Sequence, residues 1–396
     1  MNVNPIAWAA STLRLFTRID NDGVNRTVPV TEIKEVPIGF PDMDIALGAK
    51  GTGATLAQVP DGTATGGDKR GIYATDWQKR RTLSTQVASG TYSFIGGGQN
   101  NIANGNYSVV CGGQDHTYGT TFNTFLGGGV NNRTTGIYAA LVGGASNTAS
   151  SSYSFVGGGE SNTTVTSSYA TVCGGSGNTA SGQYSFVGSG QSNSATGTRS
   201  TVSGGVTNTA SATSSVVCGG QDNLANATFS FISGGNAGTA RSIVGNHVFP
   251  ALNDPFASML YGKAQSALLL VARETTDATA TVLTSNSSAA AATNQVTLPN
   301  NSAYSFSGEV IAGVTGAGNS ARWTIDGAIK RGANAASTSM VGTPTVVMTH
   351  FDAGAATWVV AVTANTTLGC ITVTVTGAAA TTIRWVCKIN TTEMTY

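Results

Sequence analysis

One short pattern returns every 15 residues through the middle of this chain, and no other feature constrains the fold as tightly. It begins at Tyr92-Ser-Phe-Ile-Gly-Gly-Gly, and its first position recurs at Tyr107, Phe122, Tyr138, Tyr153, Tyr169, Tyr184, Arg199, Ser214 and Phe229, with two intervals of 16. Three places on, every unit carries an aliphatic or aromatic residue: Ile95, Val110, Phe125, Leu141, Val156, Val172, Val187, Val202, Val217 and Ile232. A position that is apolar in every unit must face a core. Three further on come glycines, from Gly98, Gly113, Gly128 and Gly144 through to Gly235, as a corner with positive φ or close backbone approach demands. Asparagine follows at Asn101, Asn131, Asn147, Asn162, Asn178, Asn193, Asn208 and Asn223, with His116 and Gly238 in the other two units. Stacked asparagines satisfy buried turns by hydrogen bonding from unit to unit.

A 15-residue unit with one apolar stripe cannot bury that stripe alone, so the units must stack as the coils of a solenoid. At ~4.8 Å per layer, about ten coils make a rod roughly 45 Å long. Two short strands enclose only one or two side chains per layer. Burying a second face against symmetry-related copies supplies the missing core, which predicts a homotrimer. A degenerate coil from Trp77 to Gly90, ending Gln86-Val-Ala-Ser-Gly, places the start of the repeat before Tyr92. Cys111, Cys173 and Cys218 share one position in different coils, and even Cys173 and Cys218 stand ~14 Å apart at ~4.8 Å per layer, too far to bridge. They read as buried small thiols filling a ladder position.

The units Tyr153-Ser-Phe-Val-Gly-Gly-Gly-Glu-Ser-Asn and Tyr184-Ser-Phe-Val-Gly-Ser-Gly-Gln-Ser-Asn-Ser-Ala-Thr-Gly resemble the head repeats of trimeric autotransporter adhesins. Closer still is the resemblance to bacteriophage tail fibres, or receptor-binding proteins, that carry the same repeats. Those have a lead-in similar to Gly51-Thr-Gly-Ala-Thr-Leu-Ala-Gln-Val-Pro-Asp-Gly and a distal domain similar to Thr297-Leu-Pro-Asn-Asn-Ser-Ala-Tyr and Gly377-Ala-Ala-Ala-Thr-Thr-Ile-Arg-Trp-Val. The match covers roughly residues 50–396. It implies a left-handed parallel β-roll, a trimer and attachment to a host, with no catalytic set to carry over.

Charge divides the chain: residues 1–90 hold 19 of the 39 charged side chains, 91–240 hold five and 241–396 hold 15. A net charge of +1 leaves no footprint for nucleic acid. The longest aliphatic run, Ala267 to Ala272, is too short to span a bilayer, so no membrane insertion is expected. Met1 to Phe16 lacks a basic leader and an unbroken apolar core, so it does not read as a secretory signal; the expected origin is a host cytoplasm and the expected destination a virion tail. Residues 1–50 contain Leu13-Arg-Leu-Phe-Thr-Arg-Ile, Asn21-Asp-Gly and Val24 to Val30, two strands about an Asp-Gly turn. This charged module suits docking on another tail or baseplate protein. Residues 51–90 form the lead-in with degenerate coils, 91–240 the repeats and 241–265 a connector.

From about residue 266 to 396 the pattern becomes nine alternating strands: Leu268–Thr275, Thr279–Thr284, Gln295–Leu298, Ala303–Val314, Ala321–Ile329, Thr345–Thr349, Thr357–Thr363, Gly369–Thr376 and Thr382–Asn390. Their number and spacing predict an antiparallel β-sandwich of jelly-roll type. Cys370 and Cys387 lie on the arms of an apparent hairpin. A five-residue loop matching Ile371, Val373 and Val375 to Ile383, Trp385 and Cys387 keeps the two thiols apart. Among the tip residues Tyr304, Trp323, His350 and Trp358 are the candidate receptor contacts, while Trp385, in phase with Ile383, belongs to the core.

Candidate chemistry is sparse. His116, His247 and His350 fall in three regions with no zinc spacing, and no cofactor motif appears. Gly96-Gly-Gly precedes no helix or Gly-Lys-Ser/Thr, so it is a turn and not a phosphate loop. A polysaccharide-cutting tailspike needs two carboxylates about one glycosidic bond; Asp115 and Asp222 lie seven layers apart, which leaves the distal Glu274, Asp277, Glu309, Asp326 and Asp352 as the carboxylates open to such a role. The residues therefore predict a non-enzymatic, all-β fibre: a trimeric β-roll of about ten coils and a C-terminal sandwich that binds a host glycan or protein. A depolymerase tailspike and a bacterial adhesin head are the alternatives.

Overall fold

The 15-residue period folds as a parallel β-solenoid of about 11 turns, followed by an antiparallel sheet region, with essentially no helix. The computed structural model describes residues 17–19, 30–32, 53–119, 122–250, 262–316 and 318–396. Contacts divide the chain into two units, Met1–Ser150 and Ser151–Tyr396.

One coil of the second unit shows how the sequence makes the turn. Tyr184 takes the left-handed region at φ 58°, Phe186–Val187 forms a two-residue strand, and Gly190 turns the corner at φ 97°. Ser192 is again left-handed at φ 55°, and Ser194–Ala195 forms the second strand. A Cβ on Gly190 would stand 2.1 Å from the carbonyl oxygen of Gly205 in the next coil, so only glycine fits this corner. Ser185, Val187, Asn193 and Ala195 are buried, and Phe186 faces out. Neighbouring coils pair in register, Val187 with Val202 and Ala195 with Ala210. The interior is thin: one aliphatic side chain among serine, asparagine and alanine.

In the first unit the inner strands run from Thr55–Leu56 through Thr75–Asp76, Phe94–Ile95, Val109–Val110 and Phe125–Leu126 to Ala140–Leu141, all parallel. Thr55 pairs with Thr75 and Thr75 with Phe94, so the first two intervals are 20 and 19 residues. The repeat thus starts earlier than Trp77, with Tyr73 in the left-handed position that Tyr92 holds one coil later. Asp76 occupies the core position of Ile95 and is fully buried. Its carboxylate is paired with Arg70 Nε at 2.8 Å and Arg81 Nη2 at 3.2 Å, which offsets a desolvation cost of several kcal/mol.

The frame of the third repeat needs correction. Val110 pairs with Leu126, an interval of 16, and Leu126 is buried while Phe125 is 40% exposed. Asn123, not Phe122, takes the left-handed position, and Gly129 and Asn132 replace Gly128 and Asn131 at the corner and ladder. The extra residue therefore precedes Asn123, where two adjacent apolar residues, Phe125 and Leu126, concealed the slip. The other nine predicted core residues are fully buried. The cysteine reading is also overturned: Cys111, Cys173 and Cys218 follow the inward residue of their strands and so point outward, exposed.

The asparagines tie coil to coil. Asn193 Oδ1 accepts the backbone N–H of Asn208 at 3.0 Å, while its Nδ2 donates to Ser189 O at 3.0 Å and to Gly205 O at 2.8 Å in the next coil. In the first unit Gln78 opens the ladder by accepting the Asn101 N–H at 2.6 Å. His116 Nδ1 accepts the N–H of Asn132 at 3.2 Å, so the ring must be neutral at that nitrogen. Burial holds the His116 imidazole below its ordinary pKa.

Strands Thr17–Ile19 and Val30–Glu32 pair antiparallel, with Ile19 opposite Val30, so the second strand begins where the predicted Val24 to Val30 strand ends; the Asp22-Gly23 turn lies outside the described residues. The predicted connector is largely solenoid. His247–Pro250 adds in parallel to Phe231–Ile232 and then pairs antiparallel with the first strand of the sandwich; residues 251–261 lie outside the described residues. Arg241 Nε is bonded to Glu393 Oε2 at 2.9 Å, and Gln265 Nε2 to the same oxygen at 2.8 Å. The last coil and the sandwich are thereby one continuous structure.

The sandwich strands are β1 (Ala264–Thr275), β2 (Thr281–Val282), β3 (Val296–Thr297), β4 (Ser302–Val314), β5 (Ser320–Arg331), β6 (Ser339–Met340), β7 (Thr345–Phe351), β8 (Val359–Asn365), β9 (Cys370–Thr376) and β10 (Ile383–Thr395). The larger sheet runs β1-β10-β4-β5-β7, with β6 also on β5. In the smaller sheet β9 is flanked by β8 on one side and by β2 and β3 on the other. β9 and β10 are thus not a hairpin: they belong to facing sheets, and Ile371, Val373 and Val375 meet Ile383, Trp385 and Cys387 across one core. Cys370 and Cys387 are buried and free, and burial pushes their thiols up to about 11 and about 12.

Two outcomes check this frame. Leu126→Ala opens a cavity and lowers stability by about 2–5 kcal/mol in chemical denaturation. Because the folded pKa of His116 is depressed, unfolding takes up a proton as pH falls below the ordinary histidine value of 6.5. Its contribution is present above that pH and is lost as pH falls through the folded pKa. His116→Asn restores the ladder and removes this part of the acid sensitivity, read as denaturation midpoint against pH.

Candidate functional site

Two surfaces stand out. The first is the outward face of the solenoid strands, where the residue before each core position points to solvent. In the second unit this stripe carries Phe155 and Phe186, 38% and 37% exposed, with Thr171 between them and Thr201 and Val216 in the coils that follow. Each of these phenylalanines has glycine two places on, Gly157 or Gly188, so the ring has space to lie over the strand. Exposed Cys173 and Cys218 occupy that small position in their coils. Alongside runs the tyrosine ladder: Tyr153, Tyr169 and Tyr184 stack at 4.9 Å between ring centroids, and Tyr73, Tyr92 and Tyr107 at 4.8 and 5.2 Å. The rings stack on one another and keep one edge in solvent. About half their surface stays uncovered.

The second surface is on the sandwich. Of the four predicted contact residues, Tyr304, Trp323 and Trp358 are core residues, 1–3% exposed. Strand parity explains it: Tyr304 lies in phase with Phe306 and Val310, and Trp323 with Ala321 and Ile325, all facing the smaller sheet. Trp323 and Trp358 each pack 5.6 Å from Trp385. Only His350 is exposed, and it lines a shallow groove of about 650 Å³ with Ile311, Ser320, Ala321, Arg322, Thr349, Phe351 and Asp352.

A β-bulge builds this groove. β5 and β7 pair regularly up to Trp323 and Met348, then shift so that Arg322 faces His350 and Thr349 has no opposite. Alternation fails there, and Thr349, His350 and Phe351 are all exposed in succession. Arg322 Nη2 bonds Glu309 Oε1 at 2.7 Å, and the guanidinium holds the Glu309 carboxyl below its ordinary pKa. Asp352 Oδ2 accepts the Ser320 N–H at 2.8 Å, and its own N–H donates to Ser320 O at 3.0 Å. Phe351 and Ile311 are 53% and 51% exposed. Sequence pattern alone missed Phe351 and Arg322, and did not join Asp352 to His350, because a bulge leaves no periodic signal.

Other carboxylates of the sandwich have local tasks. Glu274 pairs with Arg384 at 2.9 Å, and Asp277 accepts the Thr279 N–H. Among the described residues no three His, Cys, Asp or Glu side chains converge as a metal site, and no helix is long and apolar enough to cross a membrane.

No family model matches the chain, and no curated protein matches it. Among solved structures it is similar to the Acinetobacter phage vB_ApiP_P1 tailspike protein, at 9% identity and a TM-score of 0.19, over 87% of this chain and 80% of that one. Superposition at that level carries no argument about function.

Proposed function

We propose that the chain is a structural and adhesive subunit of a bacteriophage tail, a homotrimeric fibre that binds a host surface through its C-terminal sandwich. The observation that carries the reading is the outward stripe of the solenoid. Coils of the second unit whose interior holds one aliphatic side chain each still leave Phe155 and Phe186 more than a third exposed. Burying such a side chain contributes about 1.5–3 kcal/mol, and exposed rings recurring along one strand face suit a protein interface. A parallel stack of identical layers presents the same face along its length, which suits other copies of itself. The resemblance of Tyr153-Ser-Phe-Val-Gly-Gly-Gly and the following repeats to adhesin heads and tail fibres supports the same assembly. Residues 1–50 then serve to attach the fibre to another tail or baseplate protein, the coils act as spacer and the sandwich recognises a glycan or protein.

Light scattering on the purified chain gives three times its 39.9 kDa mass, and Phe155→Glu with Phe186→Glu weakens the association; a monodisperse monomer refutes it. In this reading the subunit binds without cutting. Incubation with host envelope polysaccharide releases no reducing sugar, and release would make it a depolymerase instead.

A further inference from the structure

We infer that the groove between β5 and β7 is a binding site for an uncharged oligosaccharide, a deepening that rests on the host-attachment reading. Three observations converge on it. The bulge at Arg322 and Trp323 puts Thr349, His350 and Phe351 outward together, so one strand offers a hydroxyl, an imidazole and an aromatic ring side by side. Phe351 is 53% exposed beside Ile311 at 51%, an apolar platform in a domain whose Tyr304, Phe306, Trp323, Trp358 and Trp385 are buried; of the other tip aromatics only the C-terminal Tyr396 is also exposed. Asp352 is fixed by two hydrogen bonds to the backbone of Ser320, one of them through Oδ2, and no described residue engages its second carboxylate oxygen.

This combination selects the ligand class. Aromatic faces stack on the apolar C–H faces of pyranose rings, and a fixed carboxylate oxygen accepts sugar hydroxyls. The groove volume lies in the range of small-ligand sites, about 300–1,000 Å³. Charge disfavours the acidic sugars: Arg322, the one cation among the lining residues, is engaged by Glu309 at 2.7 Å, and the one carboxylate among them is Asp352. A uronic or sialic carboxylate would meet it with like sign. A neutral hexose or N-acetylhexosamine chain fits, with Phe351 beneath a ring and Asp352 and Thr349 at its hydroxyls.

The test uses the full-length protein on an immobilised panel of neutral hexose and N-acetylhexosamine oligosaccharides beside uronic- and sialic-acid-containing counterparts. At least one neutral member is retained, and Phe351→Ala and Asp352→Asn each weaken it tenfold or more. Asp352→Asn keeps a carbonyl to accept the Ser320 N–H, so its melting temperature stays within a few degrees of the parent. Preference for the acidic members, or neutral binding unchanged in both variants, overturns the proposal. Loss of the parent oligomeric state in Phe351→Ala also overturns it, by making this face a subunit contact. Adsorption of the parent and both variants to a panel of bacterial strains separates the two levels: variants that adsorb as the parent does sink this site alone, whereas no adsorption by the parent to any strain sinks the attachment reading.

Discussion

The hydrogen bond from one coil's backbone N–H to the asparagine side chain of the coil before is the interaction on which the solenoid depends. Each coil has two strands of two residues, too short to hold a sheet by themselves. The corners between them would leave buried amide groups unpaired, at about 1–3 kcal/mol each. One asparagine answers both problems, since its Oδ1 takes the next coil's N–H and its Nδ2 takes one carbonyl in each coil, as at Asn193 and Asn208. The glycine corner follows from the same geometry, because the asparagine amide and the next backbone occupy the place of a Cβ. The fold accordingly tolerates Thr, Arg or Ser at other positions of the coil but not a bulky corner.

Much of this was legible in the sequence, for a physical reason. A period repeated ten times averages out local noise, so the core residue, the corner and the ladder identified themselves. The third coil shows the limit: where Phe125 and Leu126 stand together, apolarity does not say which of them points inward, and a single inserted residue moved the frame. The buried Asp76 was equally hidden, because a carboxylate in a core stripe becomes comprehensible only when Arg70 and Arg81 are found against it. In the sandwich, strand alternation located nine strands but not which sheet each joined. Trp323 and Trp358 looked like binding platforms because indoles are common at binding surfaces. Parity placed both in the core, and the bulge beside His350 put an unremarked phenylalanine on the surface instead.

The thin coil and the broad tip are complementary solutions to one shortage of core. The sandwich closes a large apolar interior around Trp385, with β1 and β4 both paired to β10 along nearly their whole length. The solenoid has no such interior. It is anchored at its far end by the Arg241, Gln265 and Glu393 cluster, and along its length its remaining apolar surface lies outside, on the stripe that carries Phe155, Phe186 and the exposed cysteines.

Those cysteines report on whether the stripe is covered in the assembled protein. Cys111, Cys173 and Cys218 are exposed on the single chain, whereas Cys370 and Cys387 are buried in it. The most direct measurement is the rate at which each thiol of the native protein reacts with a small alkylating reagent, resolved by peptide mass spectrometry. Self-association through the stripe predicts that all five react slowly and that the first three become fast on dissociation. Three fast and two slow thiols in the native assembly would contradict it.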